Sequence, residues 1–362
     1  MQIAKVDIIR LKIPFSDGGK GEGLFPTTWN ELDFVLLKIT TECGLTGWGE
    51  AFAYFCAESV EAVLRRSFLP LLEGCNPLDI EGIRRDLQQK THIIGRYGIT
   101  TFALSAVDMA LWDIKAKSEN CSIATLLGGR KCDEVEAYAS FVRYGDADLI
   151  ARLSTDAVEQ GYQTIKLHEI TTPELIACRA AVGPDIKITD DVNCNWSLSH
   201  TQETMELLRE IDLHWLEEPI FPPEDFKTLR SLRGQGPLIA TGENACTHWQ
   251  FRHMIEEQAA DIVQPSITKV GGISEYRDIE TLCTEANVTL VAHSPYFGPG
   301  YLATLQMMAA SPNPTIFEYL MIERQASIYQ SLPEPEAGKI QIPEGPGLGF
   351  DPDLEVLERY KV

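Results

Sequence analysis

The sequence contains no uninterrupted apolar run of the roughly 18 residues that a membrane-spanning helix needs. No apolar signal-type segment opens it either: MQIAKVDIIRLKIPF alternates polar and apolar side chains. Positive charge is scarce, with 31 Lys and Arg against 53 Asp and Glu, a net charge of −22. That balance repels phosphate backbones and anionic membranes, so neither nucleic acid nor a membrane surface is expected as a partner. A small anionic substrate remains admissible, provided local cations or a metal overcome the field. The nine cysteines include no CxxC pair. An odd number without a framework reads as reduced thiols of a cytoplasmic protein rather than as bridges or a zinc site. No GxGxxG opens a helix after an early strand, which argues against a doubly wound dinucleotide fold.

What is present is globular. Of the 362 residues, 44% are hydrophobic and 23% charged, near the averages for folded domains. The length suits two domains, or one large barrel with an addition. IAKVDIIRLKI and FVLLKITT alternate as half-buried strands do. Between them, residues 16–30 (SDGGKGEGLFPTTWN) form a loop long enough to serve as a lid, or a plain connector. From Ala57 to about Lys117 the period is helical, and TTFALSAVDMALWDIKAK is apolar almost all round, so it should be buried between two neighbours.

From about residue 135 short apolar runs alternate with helical stretches: EAYAS, TIKLH, IKITDDVN, HWLEEP, LIATGEN, ADIVQPSI, VTLVAHSP and IFEYL. Eight such runs are the number that closes a TIM-type barrel. Several end in polar residues: Lys166 and His168, Asp191 and Asn193, Glu217, Glu243, His293 and Glu318. Residues two apart on a strand share a face, and barrel enzymes place their chemistry at this end. Asp191, Glu217 and Glu243 recur at intervals of 26 residues, one βα unit each, which predicts three carboxylates at similar height on adjacent strands. They would repel one another without a cation between them. Oxygen-only ligation points to Mg²⁺ first and Mn²⁺ second.

At this point the chain resembles the enolase superfamily, in its mandelate racemase and muconate-lactonizing branch. The pieces that carry the resemblance run almost end to end: GxxGWGE (44–50), SAVDMALWDIKAK (105–117), IKLH (165–168), DVNCNW (191–196), WLEEP (215–219), GEN (242–244), QPSITKVGG (264–272), AHSP (292–295) and FEY (317–319). The resemblance implies an α+β capping domain over residues 1–125, a (β/α)7β barrel of the α/β class over 126–320, and a tail, 321–362, returning to the cap. It places the metal on Asp191 rather than Asp190, on Glu217 rather than Glu218, and on Glu243. It implies removal of a proton α to a carboxylate, through an enediolate held on Mg²⁺. A homo-oligomer is expected.

Two departures from the family pattern matter. Its usual KxK is here Lys166-Leu-His168, so a histidine stands at the base position while Lys166 keeps the place that polarises the substrate carboxylate. His293 matches the family's other base, but Ser266 stands where that histidine's supporting Asp should be. A serine can orient an imidazole yet brings no charge. Asn193, Ser266 and Glu318 are candidate substrate-binding residues, and Lys269 is either a supporting residue near the carboxylates or a surface lysine. His92, His200, His214, His248 and His253 match no role. The reading is a Mg²⁺-dependent dehydratase turning a sugar acid into a 2-keto-3-deoxy acid, with His168 as base and His293 as acid. The alternatives are a racemase, epimerase or lactone cycloisomerase using the same intermediate, or an inactive barrel used for binding.

Overall fold

The computed structural model describes residues 1–20 and 28–362. The chain opens with three antiparallel strands, β1 (Ile3–Ser16), β2 (Glu31–Thr41) and β3 (Thr46–Ala51). β1 and β2 pair from Ile3↔Thr41 to Pro14↔Glu31, and β2 pairs with β3 from Val35↔Ala51 to Thr40↔Thr46. The apolar helix Ile99–Ser118 lies on β3. Gly47 and Gly49 make that contact possible: a Cβ on either would stand 2.2 Å from Ala110 O or 1.9 Å from Ala106 O. Among its other neighbours is the barrel helix Ile273–Ala286, joined through Trp112 Nε1 to Ser274 Oγ at 2.8 Å and Ser274 Oγ to Asp108 at 2.6 Å. Burial on both sides is what its apolar circumference required.

Eight parallel strands follow: β4 (Glu134–Ser140), β5 (Thr164–Leu167), β6 (Lys187–Asp191), β7 (Leu213–Glu217), β8 (Leu238–Thr241), β9 (Ile262–Val263), β10 (Thr289–Leu290) and β11 (Phe317–Leu320). They are ordered β10-β9-β8-β7-β6-β5-β4-β11, a sheet that curls into a TIM-like barrel. Among the described residues no ladder joins β10 to β11. The gap is bridged by Ser294 N donating to Glu318 Oε2 at 2.9 Å and Thr315 Oγ1 to Leu290 O at 2.7 Å. β9 and β10 are only two residues long, shorter than their apolar runs. Val291 and Ala292 stay buried, and the backbone past β10 keeps bonding to the neighbouring segment, through Val291 N to Val263 O at 3.0 Å and His293 N to Pro265 O at 3.2 Å.

Residues beyond β11 fold back over the earlier part. β12 (Glu323–Arg324) pairs with β1 through Phe15↔Arg324, and β13 (Lys339–Gln341) pairs antiparallel with β4. Leu348 N and Trp48 N both donate to the buried Asp113 carboxylate at 2.9 Å, and Lys117 pairs with it at 2.7 Å. One buried anion thus ties tail, sheet and helix together.

Candidate active site

Asp191 and Glu217 are register partners at the C-terminal ends of β6 and β7. Glu243 reaches the same level from beyond β8. The turn at Gly242 (φ 134°) brings it there, with no room for a Cβ, which would stand 2.9 Å from Gln264 N. One oxygen from each carboxylate lies within 4.8 Å of the others. Asp190 points elsewhere and accepts from Glu169 N at 3.0 Å. Glu218 accepts from Thr241 Oγ1 and Gly242 N, both at 2.9 Å, and shapes the turn.

Lys166, fully buried, is the counter-charge. Its Nζ lies 2.6 Å from Glu217, 3.3 Å from Glu318 and 3.4 Å from Asp191. Burial disfavours its charge, but these carboxylates outweigh that and hold the ammonium well above its ordinary pKa. One ammonium does not neutralise the trio. Burial and the repulsion of Glu217 push Asp191 well above the usual carboxylate range. Its Oδ2 is buried without a hydrogen-bond partner. Three converging oxygens, one of them unsatisfied, fit a hard divalent cation.

His168, just past β5, donates Nδ1–H to the Phe141 carbonyl, because that oxygen can only accept. Nε2 is left with its lone pair, 3.5 Å from Asp191 Oδ2. Burial, reinforced by Lys166, pushes the imidazole pKa down to about 3. His293 follows β10, with Nε2 2.7 Å from Glu243 Oε2. Burial opposes the charge of Glu243, yet His293 and Lys269 hold its carboxyl well below the ordinary range. The two histidines therefore touch opposite ends of the carboxylate trio. Both line one cavity of about 780 Å³.

Several sequence expectations need correction. Ser266 is fully buried and does not line the cavity, which leaves it no direct route to a ligand there. Its hydroxyl bonds to the Tyr296 hydroxyl, which lies 3.5 Å from His293 Nδ1, so Tyr296 occupies the supporting place assigned to Ser266. Asn193 does not share a strand face with Asp191, because β6 ends at Asp191 and Asn193 has φ 45°. It still lines the cavity, its Oδ1 held by Arg143 at 3.1 Å. Lys269 lines the cavity near enough to Glu243 for its charge to act on that carboxylate. Glu318 also lines it, fixed by Ser140 Oγ and Ser294 N at 2.9 Å. Residues 21–27 of the expected lid lie outside the described residues. Of its described ends, Trp29 lines the cavity, and the Asp17 carbonyl accepts from the Tyr144 hydroxyl at 2.6 Å.

Other contributors went unread in the sequence. Gln264 Nε2 (2.7 Å) and Trp215 Nε1 (3.2 Å) both donate to Glu217 Oε2. Trp215 was findable, two residues before Glu217 on the same strand face. On the cap side Trp29, Phe52, Tyr54 and Phe102 make an aromatic wall. The signal for Phe52 and Tyr54 was the run EAFAYF that begins in β3 and continues past its end.

Comparison with known proteins matches this geometry. Residues 24–128 match the mandelate racemase / muconate lactonizing enzyme N-terminal domain, and residues 149–356 the enolase C-terminal domain-like family. The chain is 31% identical over 352 residues to a D-galactarolactone cycloisomerase of Agrobacterium fabrum, covering 91% of each chain. It is 30% identical over 340 residues to an arabinonate dehydratase of Saccharolobus solfataricus, again covering 91% of each. The crystal structure of a 3,6-anhydro-D-galactonate cycloisomerase from Zobellia galactanivorans superposes with a TM-score of 0.88 at 26% identity over 100% of both chains. The chain belongs to the mandelate racemase and muconate-lactonizing branch of the enolase superfamily.

Proposed function

We propose that this protein removes the proton α to the carboxylate of a sugar acid and expels the 3-hydroxyl, giving a 2-keto-3-deoxy acid. The observation that carries this reading is the pair of histidines on opposite flanks of three convergent carboxylates, both lining one cavity, with Lys166 buried against the carboxylates. Asp191, Glu217 and Glu243 would hold a divalent cation, Mg²⁺ by the hardness of the donors. When bound, it supplies positive charge that acidifies the α-proton and stabilises charge developing on the substrate carboxylate.

The chain's own residues do the rest. Lys166 keeps its ammonium among Glu217, Glu318 and Asp191, where it adds positive charge beside the carboxylate trio. His168 takes the α-proton at Nε2, the nitrogen left free by the Phe141 carbonyl. His293 delivers a proton to the departing hydroxyl, which leaves as water. The resulting enol tautomerises to the 2-keto acid. Asn193 and Glu318, both on the cavity wall, bind substrate hydroxyls.

Lactone opening or closure by the same proton abstraction is the second reading. The similarity to the Agrobacterium cycloisomerase at 31% identity favours it. Product analysis separates the two. A library of sugar acids and their lactones is incubated with enzyme and Mg²⁺, and 2-keto acid formation is read as the semicarbazone. Its appearance with one stereochemical class supports dehydration. Consumption of a lactone without 2-keto-3-deoxy acid would move the assignment to cycloisomerisation.

A further inference from the structure

Arg143 stands half-buried on the loop that follows β4, outside the stretches that carry the family resemblance, and it does not line the substrate cavity. Its Nε donates to the His168 carbonyl at 2.7 Å and its Nη2 to Asn193 Oδ1 at 3.1 Å. The guanidinium sits in the field of Asp191, Glu169 and Asp190. Both hydrogen bonds nevertheless go to neutral oxygens, one on the turn that carries His168 and one on the turn that carries Asn193. A planar fork with donors in fixed directions can hold two acceptors at a set spacing, which a flexible ammonium cannot.

The near end of the fork has a firm anchor. Phe141 N donates to Lys166 O at 2.9 Å, and His168 donates Nδ1–H to Phe141 O. The buried Glu169 carboxylate accepts from Tyr144 N at 2.8 Å and from Gly145 N at 3.0 Å. The loop is thus laced to the end of β5 on both sides of Arg143. At the far end, the backbone of Asn193 is fixed as well. It has φ 45°, its N–H donates to Asp191 Oδ1 at 2.8 Å, and its carbonyl accepts from Asn195 Nδ2 at 3.1 Å. Only the side-chain torsions of Asn193 remain free, and Arg143 removes that freedom. A guanidinium can only donate, so the amide atom facing it is the oxygen. The Asn193 amino group is left on the cavity wall without an acceptor among the described residues.

We propose that Arg143 is a positioning residue: anchored on the His168 carbonyl, it locks the Asn193 amide with its amino group toward the cavity, so that Asn193 serves as a hydrogen-bond donor to an oxygen of the bound acid. A side chain ordered in advance spares the complex the entropy of ordering it on binding. This rests on the reading of Asn193 as a substrate-binding residue. The competing role runs through the other nitrogen: Arg143 would only hold the His168 turn, and its loss would then slow proton removal at unchanged affinity.

The test is a double-mutant cycle of Arg143→Gln and Asn193→Ala in the Mg²⁺-loaded enzyme, each variant first shown to be folded by circular dichroism. kcat and KM are measured on the sugar acid that is turned over. Calorimetry reads Kd for L-malate and D-malate, 2-hydroxy acids with no 3-hydroxyl to expel. Arg143→Gln should lower kcat/KM by about tenfold, the scale of one hydrogen bond to a charged group, mostly through KM, and should weaken the tighter-bound malate by a similar factor. Arg143→Lys keeps the charge but has one nitrogen for two oxygens, so it should recover only part; it carries the cycle should Arg143→Gln not fold. In the Asn193→Ala background the loss of Arg143 should cost less than about a further twofold, because the two residues act as one unit. Losses that multiply overturn the proposal, as does an Arg143→Gln enzyme that keeps the native KM and Kd while kcat falls, or an Asn193→Ala enzyme that binds and reacts like the native one. Should no sugar acid be turned over, the sugar-acid reading falls, and the same cycle in malate Kd decides the role of Arg143. A native enzyme that binds neither malate nor any sugar acid overturns both.

Discussion

The Tyr296 hydroxyl lies 3.5 Å from His293 Nδ1, with its ring edge-on to the imidazole at 6.1 Å between centroids. Ser266 reaches the histidine through this phenol. Removing the hydroxyl should therefore matter more than removing the serine. Tyr296→Phe keeps the ring contact and loses the polar one, and should lower turnover by on the order of tenfold, the cost of about one hydrogen bond. Ser266→Ala should cost less. Steady-state kinetics of the two variants decide: a larger loss in Ser266→Ala would restore the serine to the supporting role.

Cation binding can be read without turnover. Asp191, Glu217 and Glu243 repel one another, and Asp191 Oδ2 has no hydrogen-bond partner. Saturating Mg²⁺ at a hundred times Kd should stabilise the fold by roughly 2.7 kcal/mol, a rise of a few degrees in Tm. Asp191→Asn should abolish that rise. Without metal it should melt no lower than the native protein, because one repelling charge is gone. Differential scanning fluorimetry with Mg²⁺ and with chelator checks both statements. An undiminished Mg²⁺ shift in the variant would place the cation elsewhere.

What the sequence disclosed follows the geometry of the repeat. Each βα unit returns the chain to the same rim, so a 26-residue interval was enough to align Asp191, Glu217 and Glu243. Lys166 and His168 were legible for the same reason. Ser266 was misplaced because its partner Tyr296 is 30 residues away and meets it only where two rim loops touch, a contact that no period encodes. Lys269 stayed open between a supporting and a surface role because nothing local distinguishes a lysine on a turn that faces solvent from one that faces a cavity. Trp29 and Phe52 reach the site from the small sheet, so their role depends on how the cap sits on the barrel. The apolar runs at 260–267 and 288–295 promised longer strands than β9 and β10 supply, although burial and single backbone bonds such as His293 N to Pro265 O continue past the regular ladder.

Glu50 gives the fold a pH dependence of definite sign. Its carboxyl is buried where β3 meets the N-terminus of helix Pro299–Ala310 and accepts from Gly300 N at 2.8 Å. Burial raises its pKa from 4.5 to about 8, only partly offset by that hydrogen bond. A raised carboxyl pKa means that the folded state binds more protons than the unfolded chain between those two values. Stability from this group is therefore full below pH 4.5 and lost as pH rises toward 8, at up to about 1.4 kcal/mol per unit. Glu50→Gln should flatten that part of the profile. Denaturant midpoints at pH 5.5 and 8 test it by difference, since other titrating groups are common to both proteins. An unchanged slope would mean that Glu50 is ionised in the fold.

The division of labour between the histidines makes the sharpest mechanistic prediction. His168 presents Nε2 as an acceptor because its Nδ1 proton is committed to the Phe141 carbonyl, and it approaches the trio from the Asp191 end. His293 approaches from the Glu243 end, with Nε2 against that carboxylate. A base on one flank and an acid on the other suffice for removing a proton and expelling a hydroxyl. Exchange of the substrate α-proton with solvent deuterium reports the first step alone. His293→Asn should still exchange that proton while forming product at least a hundredfold more slowly, within the range general acid catalysis contributes. His168→Asn should lose both. Retained exchange in His168→Asn, with none in His293→Asn, would reverse the roles. Near-normal turnover in both variants would mean that neither imidazole carries the proton.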